Sequence, residues 1–287
     1  MKRTAPTLRL PNGNLSFGGR ALVMGILNVT PDSFSDGGIY LDKDKAVARG
    51  LDMAAEGADI LDIGGESSRP GSLPVSAEME IERVVPVIRA LRREIDLPLS
   101  IDTTKAAVAR AALEAGADIV NDISALRLDP DMAVTAARFG AAVILMHMQG
   151  TPRTMQDAPH YDDVIGEVRG FLKSRIQAAV EAGLPEESLA IDPGIGFGKR
   201  LEDNLALIDG LDAFLDLGRP VCVGVSRKAF IGRILDLPVS GRLEGTIAAA
   251  VLCADRGAHI LRVHDVGAVR RALRVAEAVK ENVSHAG

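Results

Sequence analysis

The sequence predicts one α/β domain over residues 1–287, a (β/α)8 barrel with an N-terminal β-hairpin. Three observations carry that expectation. Short apolar runs end abruptly in a polar residue, at Asn28, Asp62, Asp102, Asn121, His147, Asp192, Ser226 and His264, and most are followed by a helical pattern. About eight such strand–helix units fit into 287 residues, close to the roughly 250 typical of such a barrel. A hinge also recurs between helix and strand, as Glu56-Gly57-Ala58-Asp59 and Glu114-Ala115-Gly116-Ala117-Asp118, with a looser echo at Arg256-Gly257-Ala258-His259. A doubly wound sheet is the alternative. Either arrangement gathers the polar strand ends at one face.

Taken in order, residues 7–10 and 15–17 flank Pro11-Asn12-Gly13-Asn14, a hairpin signal that would cap one end of the domain. The first barrel strand, 21–27, runs into Asn28 and a long polar loop holding Pro31, Gly37 and Gly38. Residues 44–56 form an amphipathic helix stopped by Gly57, and 59–63 the second strand, opening into a glycine-rich loop at 64–71. Ser76 caps a helix that runs to about residue 95. Strands follow at 97–102, 118–122 and 141–146, with helices at 105–115 and 130–139 and a loop at 151–160. A long helix spans 161–182, and the sixth strand covers 189–192. One helix is expected at 201–217, then a strand at 220–225 and a helix at 243–256. The eighth strand, 260–263, is closed by a helix at 269–279.

Composition narrows the function. A chain that is 47% hydrophobic can bury a large core, and a formal charge of −6 argues against broad attraction to nucleic acid. No apolar run reaches membrane-spanning length, and Pro6 and Pro11 interrupt the N-terminus before any signal-like core, so a soluble cytoplasmic protein is expected. Cys222 and Cys253 both lie in apolar segments without metal-site spacing, which predicts two buried thiols.

Asp102, Asn121 and Asp192 end three different strands. One such acid would simply cap a helix or pair with a neighbouring cation. Three aimed at one mouth, with Lys228 nearby, point to a ligand. A carboxylate accepts two parallel N–H bonds and an amide both donates and accepts, a set suited to a flat heterocycle with an amino-pyrimidinone edge. Phe197, within the glycines of Gly194-Ile195-Gly196-Phe197-Gly198, offers a wall for such a ring. That loop lacks the order of a dinucleotide or Walker A fingerprint.

Arg69, Lys228, Arg262 and His264 form the basic set, each beside a strand end. Period-two alternation puts Arg262 and His264 on the same side of an extended chain, where they would grip a phosphate or stack over a ring. Asn28 supplies a neutral oxygen suited to magnesium held mostly by water and substrate phosphates. His147, between Met146 and Met148, reads as a hydrogen-bonded core histidine. With no nucleophilic triad in view, catalysis by charge stabilisation is expected rather than covalent catalysis.

These blocks resemble the dihydropteroate synthase family along nearly the whole chain. Gly25-Ile26-Leu27-Asn28-Val29-Thr30-Pro31-Asp32-Ser33-Phe34-Ser35-Asp36-Gly37-Gly38 is similar to its first signature, and Gly64-Gly65-Glu66-Ser67-Ser68-Arg69-Pro70-Gly71 to its second. Ser100-Ile101-Asp102-Thr103, Asn121-Asp122-Ile123, Leu145-Met146-His147-Met148-Gln149-Gly150, Asp192-Pro193-Gly194, Val225-Ser226-Arg227-Lys228 and Arg262-Val263-His264-Asp265 follow in order. The resemblance implies a TIM barrel that joins p-aminobenzoate to 6-hydroxymethyl-7,8-dihydropterin pyrophosphate through an SN1-like path, giving 7,8-dihydropteroate and pyrophosphate. It further implies that Asp102, Asn121, Asp192 and Lys228 hold the pterin, Ile123 and Met146 line its slot, and Arg262 stacks on the ring. Asn28, Arg69, Arg262 and His264 would receive the pyrophosphate, Asn28 also helping to hold Mg2+. Phe34, Ser68, Arg69, Phe197, Ser226 and Lys228 would frame the p-aminobenzoate site. The family is commonly dimeric, and the apolar side of residues 247–253 is a candidate contact.

One departure is Ser68, where the family commonly has Thr; the hydroxyl survives, so altered affinity rather than lost activity is expected. Two other readings are a methyltetrahydrofolate methyltransferase barrel and a non-catalytic pterin-binding paralogue. The first would not need the Asn28 loop or Ser226-Arg227-Lys228. A pure interaction scaffold would leave the polar strand ends unexplained.

Overall fold

The computed structural model describes residues 6–30, 38–67 and 74–285, with side chains apart from those of 38–42 and 281–285. Strands β1 (Thr7–Leu10) and β2 (Gly13–Ser16) pair antiparallel, Thr7 opposite Ser16 and Leu10 opposite Gly13. This is the expected hairpin, with its second strand entered two residues earlier. Alternation turns Leu8 and Leu10 inward, and with Phe17 they pack beneath Leu22, Ile60, Ile119 and Ile260. The hairpin is therefore the floor of the barrel.

The barrel strands are β3 (Leu22–Asn28), β4 (Ile60–Gly64), β5 (Leu99–Asp102), β6 (Ile119–Asp122), β7 (Ala142–Met146), β8 (Leu189–Asp192), β9 (Cys222–Gly224) and β10 (Ile260–Val263). They run parallel in the order β8-β7-β6-β5-β4-β3-β10-β9. The ring closes where Ile191 bridges to Val221 and its N–H donates to the Pro220 carbonyl at 2.9 Å. The eight-stranded barrel expected from the apolar runs is thus the observed fold.

Each strand is nearly all apolar because both of its faces are buried. Outward residues such as Leu61, Ile63, Ile101, Val120, Val143, Val223 and Leu261 pack in the main core with the surrounding helices. Among the described residues these are α1 (Gly38–Ala55), α2 (Ala77–Glu94), α3 (Ala106–Glu114), α4 (Met132–Phe139), α5 (Val164–Glu181), α6 (Leu201–Asp209), α7 (Ala229–Leu235), α8 (Leu243–Asp255) and α9 (Val266–His285). Ser76 caps α2 as expected, accepting the Met79 N–H at 3.2 Å.

Several helix boundaries depart from the sequence reading: α1 begins at Gly38 rather than 44, and α9 runs from Val266 to His285 rather than from 269 to 279. The segment expected as one helix over 201–217 breaks at Gly210 into α6 and a 3-10 segment, Leu211–Leu217. A Cβ at position 210 would lie 2.4 Å from Ile165, so close packing against α5 holds the glycine at the break. Helix α7, between β9 and α8, was not expected; seven residues are too few for a helical period to declare itself. The long helix begins at Val164 rather than 161, because the Asp163 side chain caps it by accepting the Gly166 N–H at 3.0 Å.

Candidate active site

The C-terminal ends of the strands bring the polar residues together. From β10, the Arg262 guanidinium reaches across the barrel: Nε donates to Asp62 Oδ2 on β4 at 2.5 Å and Nη2 to Asp102 Oδ2 on β5 at 2.6 Å. Asp62 is fully buried, and the same Oδ2 also accepts from Asn121 Nδ2 on β6 at 3.2 Å. Burial pushes the Asp102 carboxyl up to about 7; Arg262 opposes the rise and neighbouring Asp62 adds to it. Asn28, at the end of β3, and Asp102 both border Gly64: a Cβ there would be 3.8 Å from Asp102 Oδ2 and 3.9 Å from Asn28 Oδ1, ordinary contact distances.

Asp192, at the end of β8, accepts the Gly194 N–H at 2.6 Å. Burial raises its pKa, and the Lys228 charge is the largest influence pulling the other way. Lys228 is in turn lowered to about 8 by burial, with Asp192 resisting. Its ammonium donates to the Ile195 carbonyl and lies 4.4 Å from the centre of the Phe197 ring. Gly196, at φ +83°, makes this approach possible, since a Cβ would sit 2.8 Å from the Lys228 stem. Phe197 packs against Ile123, Met146, Met148 and Met155 in a separate apolar cluster. Two elements expected of a ring-binding slot, an apolar wall and convergent carboxylate and amide groups, therefore stand at one mouth.

The next two loops are tied to each other. The Ser226 hydroxyl meets His264 twice, at the backbone N–H (3.2 Å) and at Nδ1 (2.9 Å). Arg227 and Asp265 form a two-pronged pair at 2.9 and 2.6 Å. Arg227 is held at φ +55°, its N–H donating to Thr246 Oγ1 at 2.9 Å, and Arg242 donates to its carbonyl at 3.0 Å. Arg262 pairs with Asp62 and Asp102, and His264 with Ser226. Phe34, Ser68 and Arg69 lie outside the described residues.

Sequence reasoning passed over two groups. The strand-end rule reaches Asp62 without assigning it a role. Lys199 was not singled out; it is almost fully buried, and burial lowers its pKa to about 7. Its ammonium meets His147 Nδ1 at 2.9 Å and the Phe197 carbonyl at 3.0 Å. His147, pushed down to about 2 chiefly by burial and then by Lys199, packs edge-on against Phe171 at 4.8 Å, which makes it the core histidine that was expected. Cys222 and Cys253 are buried free thiols, and burial raises both pKa values. Among the described residues no group of three or more His, Cys, Asp or Glu is arranged to hold a metal. No helix among them is long and apolar enough to cross a membrane.

Residues 24–264 match the family described as pterin binding enzyme. The chain is 48% identical over 273 residues to the dihydropteroate synthase of Synechocystis sp., covering 94% of each chain. This chain belongs to the dihydropteroate synthase family. To the Escherichia coli K12 member it is 48% identical, over 91% of this chain and 93% of the relative. The Xanthomonas albilineans family member solved with 4-aminobenzoic acid superimposes with a TM-score of 0.90 at 50% identity, over 96% of this chain and 99% of that one. The same organism's protein has also been solved in complex with 7,8-dihydropteroate (TM-score 0.87, 47% identity, 96% and 99% coverage). Membership makes the chain an enzyme of the transferase class, acting in folate biosynthesis.

Proposed function

We propose that the mouth of this barrel condenses 6-hydroxymethyl-7,8-dihydropterin pyrophosphate with p-aminobenzoate to give 7,8-dihydropteroate and pyrophosphate. The observation that carries the assignment of residues is the convergence of Asp192, Lys228, Asp102 and Asn121 beside the Phe197–Met146 wall. Asp192 would accept two parallel N–H bonds from the amino-pyrimidinone edge, Asn121 a further one, and Lys228 would donate to the ring's carbonyl and imine side. Ile123 and Met146 line the slot, while Phe197, Ser226 and Lys228, with Phe34, Ser68 and Arg69, frame p-aminobenzoate.

The chemistry asks for little acid–base assistance. The bond between the pterin methylene carbon and the pyrophosphate oxygen breaks, and the electron pair leaves with pyrophosphate. Positive charge spreads into the electron-rich ring, where Asp102 and Asp192 stand close. The arylamine nitrogen then attacks the methylene carbon and loses its proton. Arg69, Arg262 and His264 would receive the leaving group; for Arg262 that requires exchanging its bond to Asp102 for one to phosphate, with Asp62 still paired. Asn28 fits a magnesium ion by its donor chemistry, a neutral oxygen at the mouth without an acidic cage among the described residues. When bound, Mg2+ would neutralise charge on the pyrophosphate. Two further assignments belong to this reading: a cytoplasmic location, and a homodimer through late helices, where Leu252 on α8 and Val275 and Val279 on α9 are exposed.

The test is pyrophosphate release by purified protein given the pterin pyrophosphate and magnesium, with and without p-aminobenzoate. Dihydropteroate formed only with both substrates is the expected result. Pterin binding without product would replace this reading with a non-catalytic pterin binder, or with a methyltransferase to be assayed with methyltetrahydrofolate.

A further inference from the structure

Asn121 can serve a pterin edge in either of two orientations, presenting its carbonyl oxygen or its amide nitrogen. Its neighbour decides which. Asp62 is completely buried and cannot turn to solvent. Its Oδ2 already accepts from Arg262 Nε at 2.5 Å, and as the carboxylate of that ion pair it has acceptors only. Towards Asn121 it can only accept, and the atom it accepts from is Nδ2, at 3.2 Å. Reversing the amide would set Asn121 Oδ1 against a buried carboxylate oxygen, two acceptors with no proton between them. Because the amide is planar, with nitrogen directed at Asp62, the carbonyl oxygen is the atom turned away from it.

We propose that Asp62 is a specificity-determining positioning residue: by holding the Asn121 nitrogen inward, it makes the carbonyl oxygen of Asn121 an acceptor for the 2-amino group of the pterin. This rests on the pterin reading above and deepens it. A ring with an oxygen at that position, a 2,4-dioxopteridine, would meet Asn121 acceptor to acceptor. Asp192 selects for the same edge from another strand, so Asp62 supplies part of the discrimination and Asp192 the rest.

The experiment is calorimetric binding of 6-hydroxymethylpterin and its 2,4-dioxo counterpart to the unsubstituted protein and to Asp62→Ala, which removes the acceptor. The unsubstituted protein should prefer the 2-amino ring. In the variant Asn121 has no acceptor at position 62 to hold its nitrogen and is able to reverse, and the preference should fall about tenfold, the loss of one selective hydrogen bond. An unchanged preference overturns the proposal. Equal binding of both rings by the unsubstituted protein also overturns it, leaving the pterin site standing; binding of neither ring removes both readings. Should the variant not fold, the unsubstituted protein labelled with 15N-asparagine still decides. A slowly exchanging Asn121 side-chain amide proton supports the proposal, and exchange as fast as that of a solvent-exposed asparagine overturns it.

Discussion

Asp102→Asn should make the ligand-free protein more stable at neutral and alkaline pH while removing a carboxylate from the site. Burial raises the Asp102 carboxyl from 3.8 to about 7. Between about pH 4 and pH 7 the unfolded chain therefore gives up this proton while the folded chain keeps it, and stability falls as pH rises through that window. A rise of that size corresponds to roughly 4 kcal/mol above pH 7. Asparagine has nearly the same shape and cannot ionise, so the variant avoids the cost. The attraction of Arg262 for the Asp102 carboxylate is already contained in that raised value, and in the variant Arg262 keeps Asp62. The expectation is a gain of up to about 4 kcal/mol at pH 8, which at about 2–4 °C per kcal/mol for a chain of this size is readily measured. The assay is urea and thermal unfolding of both proteins from pH 4 to pH 8. Lys199 titrates in both and cancels in the difference; Lys228 does not cancel fully, because the Asp102 charge that helps to raise its pKa is absent from the variant. The gap should grow through pH 4–7 and then level off. A variant less stable at pH 8, or a gap of the same size at pH 4 and pH 8, would refute the reasoning.

Three other outcomes are expected. Lys228, lowered to about 8, is an ammonium only below that pH in the free enzyme, so kcat/KM for the pterin pyrophosphate should fall above about pH 8; Lys228→Arg, unable to deprotonate, should lose that limb even if the rate is poor. Asp192→Asn replaces an acceptor with a donor against the ring edge and should weaken pterin pyrophosphate binding about tenfold or more, whereas calorimetry at wild-type strength would contradict the role. Gly194→Ala puts a Cβ 1.9 Å from the His147 carbonyl oxygen at φ +70°, and should cost at least about 2 kcal/mol in urea unfolding; a midpoint within error of wild type would show that the β8 loop yields more easily than its packing implies.

The barrel was legible because its strands are short apolar runs that stop at polar residues, and because each run is followed by a helical period. The same rule exposed Asp102, Asn121 and Asp192, since a polar group at the end of a buried strand needs a partner or a ligand wherever it occurs. Phe197 and Lys228 were legible for a similar reason, an aromatic among glycines and a cation beside a strand end. Elements that depend on a neighbour far away in the chain were not. Helix α7 is too short to show a period, and the break at Gly210 answers to Ile165 on another helix.

Arg262 and His264 show where the local rule stops. Alternation brings Arg262, inside β10, and His264, one residue beyond Val263, to the same strand end, but does not say that the first pairs with Asp62 and Asp102 and the second with Ser226. The sequence by itself determined the fold, the family and which strand ends are polar, because these depend on the order and spacing of residues along the chain. Only the tertiary structure decided that Arg262 lies between Asp62 and Asp102, that Asp62 orients Asn121, and that Lys199 is buried against His147. Those choices follow from charge and hydrogen-bond complementarity among residues up to 200 positions apart, which meet only when the barrel closes.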